Sequence, residues 1–166
     1  EGKTSKQEVA KILDLARIKG INTLDTANSY GDAEKIIGDL RGEEFKVITK
    51  IAIGIKTEDN AKGLETVDKQ INKSILDLGK TSLDTLLVHD PKNLQGEDEN
   101  TIAWNRLKDM KKENLIEKLG ISVYSTQEAE ILAERLNPDI IQIPLNIFDQ
   151  RAIDDGTLKK LKNQGI

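Results

Sequence analysis

Apolar positions along the chain change their period repeatedly, and the changes mark out the elements. Val9, Ile12, Leu13 and Ala16 recur at helical spacing. Ser5 and Glu8 precede them with the spacing of a capping box, and Gly20 follows as a stop signal. The pattern then turns to a short apolar run, INTLDTA, which predicts a strand over 21–27 running into a loop. DAEKIIGDL predicts a short helix with Asp32 at its N-cap, and FKVITK a strand ending at Lys50. Leu64, Val67, Ile71, Ile75 and Leu78 mark one face of a third helix, and LDTLLVHD predicts a strand that ends at His89. A helix over 101–114 and a strand over 115–124 come next. Ser125 and Glu128 repeat the capping-box spacing ahead of Ala129, Leu132, Ala133 and Leu136. PDIIQIPLN predicts a fifth strand, and the stretch 154–166 a closing helix.

One helix is thus followed by five β-α units, at the spacing of a βαβ repeat, about 30 residues. The strands are nearly continuous apolar runs, as parallel strands covered by helices require. A doubly wound sheet and a (β/α)8 barrel both fit this layout. The doubly wound sheet predicts a glycine-rich phosphate turn after an early strand, and neither G-x-G-x-x-G nor a P-loop occurs in the sequence. The barrel predicts reactive residues at the C-terminal ends of several strands. Asp25, Lys50 and His89 each fall at or just beyond such an end, and Tyr30 lies on the loop after the first strand.

Composition narrows the class. The 166 residues suit one domain over 1–166, yet a closed barrel of this type takes about 250. The expectation is therefore a partial barrel of about five parallel strands. Net charge is −4 with both signs interspersed, which gives no basic face for nucleic acid. No apolar run approaches the length of a membrane span. There is no cysteine, hence neither disulfides nor thiol chemistry. A cytoplasmic location is the expectation for such a chain.

Asp25, Tyr30, Lys50 and the single histidine, His89, each have a plain reading when taken alone: cap, packing ring, solvated lysine, turn residue. Gathered on one barrel face they suit a different task. A phenol can donate its proton to a developing alkoxide, and an adjacent ammonium favours the phenolate that results. An acid can hold that ammonium charged and oriented, and an imidazole can donate to the carbonyl oxygen. Hydride must then come from a cofactor. The rival uses fit less well. A metal site would have Lys50 competing for its acids and has no paired-histidine spacing, so no metal is expected. A glycosidase pair of Asp25 and Asp90 would leave Tyr30 and Lys50 without a task. Gly31 and Gly38 suit a turn and a helix end. Trp104 and Met110 suit helix packing, Asp90 and Pro91 the loop after His89, and AIGIKTEDNAKG a loop over the pocket.

With those residues in view, the sequence resembles the aldo-keto reductase family. The matching stretches are GINTLDTANSYGDAEKIIGDL, FKVITK, SILDLGKTSLDTLLVHDP, LIEKLGISVYS and IIQIPLNIFDQR, which cover nearly the whole chain in the family's order. The resemblance implies a (β/α)8 barrel that reduces aldehydes and ketones, small-molecule carbonyls, with NADPH or, less often, NADH. It implies Tyr30 as the acid, Lys50 and Asp25 as its tuning pair, and His89 as the group that orients the carbonyl. It also implies that Ser122 and Gln142 hold the nicotinamide carboxamide, with Asp25 among the residues near the cofactor. Val123 stands where the family has asparagine. On this comparison the chain holds the family's strands two to six. The first strand and the last two βα units, with their phosphate-binding loops, are missing, so the isolated 166-residue piece is expected to be inactive. The alternatives are a non-catalytic NADP(H)-binding or regulatory barrel protein and an inactive fragment of a reductase. Oligomeric state and substrate are not encoded in these motifs.

Overall fold

The structure is a computed structural model that describes residues 4–40, 42–53, 60–94 and 99–166. Half of the stretch expected to loop over the pocket, residues 54–59, lies outside the described residues, and its last four residues, 60–63, are not loop but the first turn of a helix.

Five strands alternate with helices: β1 (Thr23–Asp25), β2 (Lys46–Ile51), β3 (Leu83–Val88), β4 (Ile116–Ser122) and β5 (Ile140–Gln142). The helices are α1 (Lys6–Ile18), α2 (Ala33–Asp39), α3 (Asn60–Asp77), α4 (Glu99–Lys112), α5 (Thr126–Leu136), α6 (Arg151–Asp154) and α7 (Thr157–Asn163). Every strand pairs in parallel with its neighbour in sequence, in the order β1-β2-β3-β4-β5. A doubly wound sheet reverses its order at a switch point. This one never does, and its crossover helices stay on one face as the sheet curls. The architecture is an incomplete (β/α)8 barrel.

The register sets where the strands end. Asp25 is opposite Ile48, Lys50 opposite Leu87, and Ser122 opposite Gln142. All C-terminal ends therefore emerge on one side of the arc. Successive side chains alternate between the two faces of a strand. In β2, Val47 and Ile51 join the core under the helices, with Val67 and Ile71 of α3, while Lys50 turns to the other face. Trp104 and Met110 of α4 are buried in the same core, and Trp104 Nε1 donates to Leu136 O at 3.1 Å. Packing is thus their role, as their helical spacing suggested.

The caps hold as their chemistry requires. Ser5 Oγ accepts from Glu8 N at 3.2 Å and Ser125 Oγ from Glu128 N at 3.1 Å, each bond worth about 1 kcal/mol. Asp32 occupies the N-cap position of α2, but its side chain makes no capping bond. Gly31, at φ +64°, supplies the expected turn. Gly38 stands at a helix end, as expected, one residue before the last of α2. There any Cβ would run into the backbone of Asp77 and Leu78 at the end of α3. Its value is close helix approach. The strands β1 and β5 are shorter than their apolar runs, three residues each. The closing helix expected over 154–166 is α7, which starts after Gly156 (φ +78°), and the short α6 precedes it unforeseen. No helix among the described residues is long and apolar enough to cross a membrane.

Gly120 joins fold to site. A Cβ there would press into the carbonyl oxygen of Ile140 on β5 and the Leu87 side chain on β3. Backbone cannot yield as a flexible side chain can. Gly120→Ala is expected to destabilise the protein by about 2–3 kcal/mol and to loosen the β4–β5 edge that carries Ser122 and Gln142. Thermal unfolding of the full-length gene product checks this, and an unchanged midpoint would contradict the close approach.

Candidate active site

The first loop is built around a short return of the chain. Thr26 N donates to Ile48 O at 2.8 Å and Asn28 N to Lys50 O at 2.9 Å, so the loop follows β2 past its end. Tyr30 N then donates to Ala27 O at 3.0 Å, and Ala33 N to Tyr30 O at 3.2 Å. This bend carries Tyr30 back over the strand ends, where it remains half exposed.

Lys50 is 3% exposed. A buried ammonium is costly unless paired and hydrogen-bonded. Its Nζ lies 2.5 Å from Asp25 Oδ1 and donates to Thr26 O at 3.0 Å, so two of its three donors are used. The same Nζ is 5.6 Å from the Tyr30 ring centroid, within cation–π range. His89 follows β3 directly and extends the ladder, its N–H donating to Ile51 O at 2.8 Å. Its ring meets Tyr30 edge to face, with centroids 5.8 Å apart. Ser29 Oγ lies 3.4 Å from His89 Nδ1. When Ser29 donates this long bond, the ring proton resides on Nε2, which becomes a donor.

The remaining edge comes from β4 and β5. Gln142 Nε2 donates to Asp25 Oδ2 at 2.8 Å, and Ser122 Oγ approaches Gln142 Oε1 at 3.5 Å. All six residues singled out from the sequence, Asp25, Tyr30, Lys50, His89, Ser122 and Gln142, line one open cleft of about 240 Å³. Val123, Tyr124, Ile143 and Pro144 complete its wall. Larger hollows exist elsewhere. One of about 450 Å³ lies between α1 and α2, but the Arg17 that lines it is ion-paired with Asp14 and Glu44. Among the described residues, no group of three or more His, Asp or Glu side chains is placed to hold a metal ion.

The cleft has the parts for moving a proton onto a small polar molecule: a half-exposed phenol, a paired ammonium and an imidazole within a few ångströms. It also fits a nicotinamide. A primary amide needs both an acceptor and donors, and Ser122 Oγ with the Gln142 amide offers both at adjacent strand ends. The sequence did not single out Ser29, the Thr26 carbonyl or the cleft wall beyond Val123. Backbone carbonyls carry no residue-type signal, and Ser29 had no spacing to set it apart.

The comparisons with known proteins agree with the geometry. The chain is 30% identical over 157 residues to the uncharacterized oxidoreductase C28F2.05 of Schizosaccharomyces pombe, covering 87% of this chain and 52% of that one. It is 28% identical over 160 residues to the oxidoreductase YdhF of Escherichia coli, covering 86% and 52%. The chain therefore spans about half the length of the curated relatives it matches. In fold it is similar to the aldo-keto reductase AKR11C1 from Bacillus halodurans in its holo form. The TM-score is 0.78 at 21% identity, over 99% of this chain and 56% of that one. The model of the aldo/keto reductase family matches residues 1–166, and the chain belongs to that family.

Proposed function

We propose that the protein containing this chain is an oxidoreductase that reduces aldehyde or ketone carbonyls to alcohols with NADPH, NADH being the alternative donor. The observation that carries this reading is Lys50. The chain buries an ammonium at the mouth of its sheet, fixes it on Asp25 at 2.5 Å, and sets it 5.6 Å from the Tyr30 ring. A lysine needed only for solubility would stand in water, and one needed only for packing would be cheaper as an apolar residue.

Tyr30 is the proton donor. As the carbonyl oxygen gains negative charge, the phenolic O–H bond breaks and the proton passes to that oxygen, giving the alcohol. The Lys50 ammonium stabilises the phenolate left behind, and Asp25 keeps the ammonium in place. His89 donates to the same carbonyl oxygen and orients it towards Tyr30. Ser122 and Gln142 would hold the carboxamide of the nicotinamide, with Asp25 adjoining. The cofactor, when bound, supplies the hydride that reaches the carbonyl carbon.

The test is nicotinamide oxidation, followed by absorbance, with the full-length gene product, NADPH or NADH, and a panel of aldehydes and ketones. Aldehyde-dependent oxidation supports the reading. Tight cofactor binding without turnover on any carbonyl would favour a binding or regulatory barrel and remove the reductase. Within this reading, His89→Gln keeps a donor of similar reach. It should lower kcat/KM by about tenfold, less than outright loss of an oxyanion donor. The loss should grow with the bulk of the carbonyl substituents, because a flexible amide orients less than a ring held by Ser29 and Tyr30. A uniform loss across an aldehyde series would remove His89 from the orienting role.

A further inference from the structure

Glu34 is a carboxylate shut away from water that takes no part in the proton transfer. It stands in the first turn of α2 and is 3% exposed. Thr49 Oγ1 donates to its Oε1 at 2.6 Å and Ser74 Oγ to its Oε2 at 3.1 Å. Asn28 Nδ2 lies 3.4 Å from that Oε2 and 3.3 Å from Ser74 Oγ. Thr49 and Ser74 are themselves fully buried.

Among the described residues, the groups that donate hydrogen bonds to this carboxylate are two hydroxyls and an amide, and the Lys73 ammonium acts on it only through space. Neutral donors repay only part of the cost of taking a carboxylate out of water. An apolar side chain would fill the space between α2, β2 and α3 more cheaply. What a carboxylate adds is two oxygens that gather donors from three separate elements. Those donors sit beside the active cleft in sequence. Thr49 immediately precedes Lys50, on the opposite face of β2. Asn28 lies two residues before Tyr30, and Ser74 ties Asn28 and Glu34 to α3. The Asn28 backbone already holds the loop to Lys50 O. Its side chain supplies the second fixing point, and two points are needed to define how the loop tilts over the strand ends.

We propose that Glu34 is a positioning residue. By holding the Asn28 side chain on its own Oε2 beside Ser74, while its Oε1 is fixed by Thr49, it sets the loop that carries Tyr30, and with it the placement of the phenol against Lys50 and His89. The kinetic part of this inference rests on Tyr30 being the proton donor; the structural part does not.

The experiment uses the full-length gene product with tyrosine labelled at ¹³Cζ, the Tyr30 resonance being assigned by its loss in Tyr30→Phe. The variants are Glu34→Ala, Glu34→Gln and Asn28→Ala. Glutamine keeps the volume and one acceptor, and its amide can donate to a hydroxyl that also accepts. Glu34→Ala and Asn28→Ala are expected to move or broaden the Tyr30 resonance, and Glu34→Gln to leave it at the wild-type position. For carbonyl reduction, kcat should fall about tenfold or more in the two alanine variants, the scale of a small misplacement of a reacting group. Cofactor affinity should stay within about twofold, and the loss should vanish in a Tyr30→Phe background. If Glu34→Ala fails to fold, Asn28→Ala alone decides, since it cuts the loop tether and leaves Glu34 its two hydroxyls. An unmoved Tyr30 resonance in Asn28→Ala overturns the proposal. So does a Glu34→Gln variant that behaves like alanine, because the role would then be charge and not tethering. A wild type with no turnover but a resonance that responds as expected would defeat the reductase reading and leave the positioning role standing.

Discussion

Tyr30→Phe is expected to slow hydride transfer to a reactive aldehyde by about 10² to 10⁴, the usual worth of a placed proton donor. Cofactor binding should barely change. The ring that packs edge to face on His89 and faces the Lys50 ammonium is retained, and only the hydroxyl is lost. Half of Tyr30 is exposed, so the deleted oxygen leaves no buried unsatisfied partner, and stability should hold within about 0.5 kcal/mol. Pre-steady-state nicotinamide oxidation under saturating cofactor isolates the step from product release. Equal rates in the two proteins would take the acid role from Tyr30, and the proposed mechanism with it.

Lys50→Met should cost a comparable amount in rate, about 10² to 10³, the magnitude seen when one preorganised electrostatic group is deleted. Methionine matches the lysine stem in length and fills the same buried channel. What disappears is the positive charge that stabilises the phenolate. Removing one member of a buried ion pair usually costs 3–5 kcal/mol because the other charge is stranded. Here Asp25 is 44% exposed and keeps the Gln142 amide on its second oxygen, so water can take the place of Lys50. The variant should therefore fold with a modest loss in melting temperature while losing most of its turnover. The two effects should not add. Once Tyr30 is Phe there is no phenolate to stabilise, and Lys50→Met in that background should change the rate little. Full additivity in the double variant would mean that Lys50 acts elsewhere, on cofactor or substrate directly.

These expectations depend on residues that differ in how readily they could be read before the fold was known. Asp25, Lys50 and His89 were legible because each closes an apolar run, and parallel strands bring their ends together whatever the exact register. Ser122 and Gln142 were legible only through resemblance to a family; as isolated polar residues they carry no spacing signal. Glu34 was not legible at all. An acid in the first turn of a helix looks like an ordinary partner for the helix dipole. Its burial depends on Ser74, forty residues away along the chain, turning towards it from α3.

Local chemistry accounts for much of the molecule. Serine caps start α1 and α5, apolar period separates strand from helix, and sequential βα units favour an arc of parallel strands with its reactive residues on one side. These features are set by interactions within a few residues, or by the general geometry of right-handed crossovers, so the amino-acid order alone carries them. The tertiary structure decided what depends on how closely two distant segments approach. It shortened β1 and β5 to the residues that find partners, and set Gly38, at the end of α2, against the backbone at the end of α3. It drew Lys50 out of water onto Asp25, and closed Glu34 within donors from three elements. Burial and pairing energies depend on distances between elements, and no window of the sequence contains those distances.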